Sequence, residues 1–70
     1  MHKYETVIYW SEEDQLYIVK VPDLPGCVAH GKTDVEALQN SWQAIELWIS
    51  TAREFGDPVP APTGHSMKHS

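Results

Sequence analysis

Seventy residues, ten of them acidic and five basic, carry a formal net charge of −5 with 41 % apolar content. That is room for one domain, and the charge argues against a nucleic-acid binder resting on its own lysines and arginines. A single cysteine leaves no disulfide framework, and no apolar run approaches the length of a membrane span.

Lys3 to Trp10 brings together Tyr4, Thr6, Val7, Ile8, Tyr9 and Trp10, a β-branched and aromatic stretch that predicts a strand. No apolar core follows Lys3 as an export signal would require, which with the lone cysteine predicts a cytoplasmic protein. Ser11-Glu12-Glu13-Asp14-Gln15 is a polar break. Leu16 to Val21 is a second strand, so the two form an antiparallel hairpin. Both strands carry apolar bulk on both faces: Tyr17, Val19 and Val21 against Leu16 and Ile18, Val7 and Tyr9 against Ile8 and Trp10. One helix covers one face of a sheet. The other face is therefore expected to meet another chain, most simply a copy in a dimer or tetramer.

Pro22-Asp23-Leu24-Pro25-Gly26 forces a rigid corner, because its prolines fix φ and its glycine admits positive φ. Cys27 to His30 predicts a brief third strand, closed by Gly31-Lys32. Thr33-Asp34-Val35-Glu36 then reads as a capping box opening a helix that runs to about Phe55. Val35, Leu38, Trp42, Ile45, Ile49 and Ala52 form its expected apolar stripe. Gly56 and Pro58 stop it. The expected architecture is α+β, a three-stranded antiparallel sheet packed on one helix in the order β-β-β-α. The domain is expected over residues 1–56. A proline-rich tail over 57–70, with Pro58, Pro60 and Pro62, is expected to be extended or disordered rather than a strand.

Few residues point to chemistry. Glu12-Glu13-Asp14 is the densest acidic cluster, but two-metal hydrolysis needs carboxylates converging from several elements, and only Glu5 and Asp23 are added by the sheet. A solvated turn and an acidic protein-binding patch both remain open for it. Cys27, between Gly26 and Val28, reads as a small buried apolar residue. His65 and His69 have zinc-like spacing without a helix to align them, and His30 has no nucleophile or carboxylate placed to use it. No catalytic residue, metal or cofactor is assigned. Trp42 belongs to the helix stripe. Trp48 lies at its margin, over the sheet edge or against a partner.

Several stretches together resemble the HicB-like antitoxin family. They are Tyr17-Ile18-Val19-Lys20-Val21, the corner Pro22-Asp23-Leu24-Pro25-Gly26-Cys27, the exit Ala29-His30-Gly31, and the helix segments Thr33-Asp34-Val35-Glu36-Ala37-Leu38 and Ala44-Ile45-Glu46-Leu47-Trp48. The resemblance covers roughly residues 3–60. It implies a partial ribonuclease-H-like fold with a fourth strand that is short or absent here. It also implies a non-enzymatic role: binding a HicA-like ribonuclease toxin. The C-terminal DNA-binding domain common in that family has no counterpart in these residues, so direct DNA binding is not expected. Trp10, Glu12, Glu13, Asp14, Asp23 and Trp48 are the expected partner-binding residues, and Pro22 to Cys27 the structural motif. An orphan oligomeric scaffold or small-ligand-binding domain, and a small hydrolase on a degraded ribonuclease-H-like sheet, are the competing possibilities.

Overall fold

Val7–Ser11 (β1) and Leu16–Lys20 (β2) pair antiparallel from Val7↔Lys20 to Ser11↔Leu16, and Val28–Gly31 (β3) pairs antiparallel with β2 from Lys20↔Val28 to Tyr17↔Gly31. The computed structural model describes residues 3–62, and Asp34–Glu54 (α1) completes the order β-β-β-α. The sheet order is β1-β2-β3, so β2 is central and the other two are edges. Among the described residues no further strand follows α1. The expected α+β architecture is the observed one.

The first strand starts at Val7 rather than Lys3. Tyr4 is taken from the ladder to pack against the core, where its hydroxyl donates to the Pro60 carbonyl at 2.6 Å. Cys27 likewise belongs to the corner and not to β3. Its amide donates to Leu24 O at 2.9 Å, and its carbonyl accepts from Val21 N at 3.1 Å. The corner contains two successive turns, Leu24 N to Val21 O at 3.0 Å being the first. In the second, Pro25 precedes Gly26 at φ +80°, the residue pattern of a type II turn. Between the turns Leu24 is fully buried against Val21, Cys27 and Ile45. The corner from Pro22 to Cys27 thus carries this leucine into the core.

Thr33 caps α1 by accepting the Glu36 amide at 3.0 Å. The Glu36 carboxylate reaches one residue beyond the expected cap amide, accepting from Lys32 N at 2.7 Å. At the other end Gly56 (φ +75°) donates to Arg53 O at 3.2 Å and Asp57 to Ala52 O at 2.8 Å, the paired bonds of a Schellman stop. The buried stripe differs from the expected one. It runs through Ala37, Ser41, Ile45 and Ala52, with Trp42, Trp48 and Ile49 half-buried at its sides, and Val35 is 60 % exposed. Val35 is two residues from Ala37, about 200° around the helix, and faces away from the sheet. The helix backbone comes very close to β3 here, since a Cβ on Gly31 would sit 2.5 Å from the Ala37 backbone nitrogen. The Ser41 hydroxyl remains satisfied by donating to Leu38 O at 2.6 Å.

Beyond the helix, Val59 and Pro60 are half-buried, Pro60 at the Tyr4 contact, and no regular secondary structure follows among the described residues. His65 and His69 lie outside the described residues.

Two glycine substitutions separate space from conformation. Gly31→Ala pushes a methyl into helix backbone and is expected to cost about 3 kcal/mol. Gly26→Ala meets nothing within 4 Å and is expected to cost only the left-handed penalty, roughly 1–2 kcal/mol. Urea unfolding of the two variants checks the order; equal losses would show that the close approach is relieved by a shift of the helix.

Candidate partner-binding surface

Register assigns each side chain to a face. Ile8, Trp10, Tyr17, Val19, Ala29 and Gly31 share the helix side, while Val7, Tyr9, Ile18, Lys20, Val28 and His30 share the other. The helix lies over β3 and β2. β1 is therefore bare on both sides, with Val7, Ile8, Tyr9 and Trp10 each 43–45 % exposed. On the helix side Trp10 meets its cross-strand neighbour Tyr17 edge to face, ring centroids 5.0 Å apart. On the other, the Lys20 ammonium lies 5.6 Å from the Tyr9 ring centroid, a cation–π contact across the diagonal of the strand pair.

The acidic turn grows directly out of this aromatic pair. Gln15 adopts φ 57° and donates its amide to Ser11 O at 2.8 Å, which returns the chain into β2. Its side-chain nitrogen donates to Glu12 O at 2.7 Å. The Trp10 indole donates to Glu12 Oε1 at 3.0 Å, and the Ser11 hydroxyl donates to Asp14 Oδ2 at 3.1 Å. Glu12 and Asp14 are thus held by neighbours within the turn, and Glu13 is exposed between them. Three carboxylates are presented at the foot of an exposed indole, and two of them, Glu12 and Asp14, are already held in place before any partner binds. Ser11, Gln15 and Tyr17 are the contributors that sequence reasoning missed. The Ser-x-x-Asp spacing was the available signal for Ser11; none existed for Tyr17, whose role depends on register.

The expected partner-binding residues do not form one cluster. Trp10, Glu12, Glu13 and Asp14 stand at one end of β2, and Asp23 and Trp48 at the other, separated by the strand's length, roughly 17 Å. Trp48 donates its indole N–H to Pro25 O at 2.9 Å and packs against the core, so it fastens the helix to the corner. Its ring also lines a shallow groove of about 490 Å³ with Gly26, Cys27, Val28 and Leu47, the last 67 % exposed. Cys27 is buried there, and loss of solvent pushes its thiol up from its ordinary pKa, so it stays protonated at neutral pH and is a poor nucleophile. His30 is an exposed strand residue whose carbonyl accepts from Asn40 Nδ2 at 2.8 Å. Among the described residues no three His, Cys, Asp or Glu side chains converge as metal ligands. Nor is any helix there long and apolar enough to cross a membrane.

The chain is similar in sequence to several known proteins. A UPF0150 protein of Thermoplasma acidophilum is 44 % identical over 55 residues, 79 % of this chain and 80 % of its own. A UPF0150 protein of Synechocystis is 42 % identical over 55 residues, 79 % of this chain and 70 % of its own. An uncharacterized 14.9 kDa protein of Haemophilus phage HP1 is 41 % identical over 44 residues, which is 63 % of this chain but 33 % of the phage protein. The family model described as the HicB-like antitoxin of bacterial toxin–antitoxin systems matches residues 4–69. With nearly the whole chain inside that match, the protein belongs to the HicB-like antitoxin family.

Proposed function

We propose that this domain is a protein-binding antitoxin module that neutralises a HicA-type mRNA-cleaving toxin by covering its RNA-binding surface. In this proposal it works as a cytoplasmic homo-oligomer, without catalysis or DNA contact of its own. Membership of an antitoxin family implies a toxin partner in general. The observation that supports this particular mode is the acidic turn held on Trp10 by the indole–Glu12 bond. An RNA-binding surface is basic because it neutralises phosphates, and an array of three carboxylates beside an exposed aromatic complements it in charge and supplies an apolar anchor. Asp23 and Trp48 form a second contact zone at the corner end of the sheet, with the ring of Trp48 rather than its bonded N–H available to a partner.

The two kinds of contact are expected to separate in kinetics. With a HicA-type toxin from the same source, Glu12→Ala, Glu13→Ala and Asp14→Ala combined should slow association and flatten its salt dependence, with a smaller effect on dissociation. Stopped-flow mixing over a salt series checks this, and unchanged rates would remove the turn from the interface. Trp10→Ala should weaken the complex at least tenfold, about 1.4 kcal/mol or more, mainly through faster dissociation. RNA cleavage by the toxin, read beside binding, should return in proportion to the affinity lost.

A further inference from the structure

We propose that the free edge of β1 is a self-association surface, where β1 pairs antiparallel with β1 of a second copy to give a continuous six-stranded sheet. The starting observation is an undefended edge. β1 is the outer strand, and nothing among the described residues pairs with its outer side. Small sheets usually protect such an edge with lysine, proline, a bulge or a covering helix. The sequence Val-Ile-Tyr-Trp-Ser contains no charge and no proline, its pairing with β2 is unbroken, and α1 lies over the other two strands.

Charge selects the occupant and its direction. A second copy carries the same net charge of −5, so it can approach only where carboxylates are absent or matched. β1 is electrically polar along its length. It leaves Lys3, with Lys20 beside Val7, at one end and enters Glu12-Glu13-Asp14 at the other. Antiparallel pairing lays each acidic turn toward the other copy's Lys3 and Lys20 end, where the described like charges are Glu5 and, at the corner, Asp23. Parallel pairing would set turn against turn. Antiparallel self-pairing is also the arrangement in which one surface meets itself about a two-fold axis. With that axis normal to the sheet both helices fall on one side, and Ile8 and Trp10 of the two copies occupy the cleft between them.

This inference specifies the oligomer of the proposed function and rests on none of its statements about a toxin; the test contains no toxin, so the two can fail separately. Sedimentation equilibrium of the full chain is expected to give twice the 7.9 kDa chain mass. Ile8→Lys places a charge on the edge at a residue that the fold leaves exposed and should raise the dimer dissociation constant at least tenfold, whereas Val28→Lys, on the opposite edge, should leave it unchanged. Amide exchange of the wild-type chain makes the test independent of whether either variant folds: protection of β1 amides should rise with protein concentration. A monomeric wild type at its highest soluble concentration would overturn the proposal. So would dissociation by Val28→Lys but not Ile8→Lys. Protection of the outward-facing β1 amides in a chain that sediments as a monomer would also overturn it.

Discussion

The close approach of α1 to β3 is the constraint on which the rest of the structure depends. Gly31 brings the two backbones so near that no Cβ fits between them, and the helix answers with Ala37 and Ser41 where larger residues would ordinarily pack. A helix seated this low cannot also span the third strand. It lies toward β3, Ile45 reaches the corner core around Leu24, and β1 is left bare on both sides. The exposed aromatics of β1 follow from packing at the opposite edge of the sheet.

The two ends of the sheet are stiffened by different means. At the corner, two proline-assisted turns, a buried leucine and the Trp48 indole bond fix the chain through backbone geometry and burial. At the acidic turn there is little to bury, and order comes from short-range hydrogen bonds among Trp10, Ser11, Glu12, Asp14 and Gln15. Surface bonds of this kind are individually weak. Their effect is to reduce the number of arrangements that the carboxylates sample, which matters more for recognition than for the stability of the fold.

Much of this was legible in the sequence because it is local. The Thr33 cap, the Gly56 stop, the Pro-Asp-Leu-Pro-Gly corner and the two-stranded hairpin are each specified by residues within about five positions of one another, and each occurs where its residues predict it. The helix's true buried stripe was not legible. Apolar periodicity favours Val35 over Ala37, and only the distance to Gly31, which no spacing reveals, reverses that choice. The partner-binding set was legible in residue type but not in arrangement. Glu12 and Asp23 are eleven positions apart, and whether a strand's length separates them depends on β2 running straight between the two turns. Trp48 read as marginal because its indole partner is a carbonyl 23 positions earlier.

The bond from the Tyr4 hydroxyl to the Pro60 carbonyl has a consequence for cooperativity. It spans 56 positions, and closing a free loop of that length would cost roughly 3–4 kcal/mol of chain entropy, more than one hydrogen bond returns. The bond is favourable only when the sheet, corner and helix already hold its two ends close, so that the effective loop is short. It therefore acts as a clasp that couples the segment before β1 to the segment after α1. Loosening at either is transmitted to the other, and the all-or-none character of unfolding extends to stretches that have no regular secondary structure of their own.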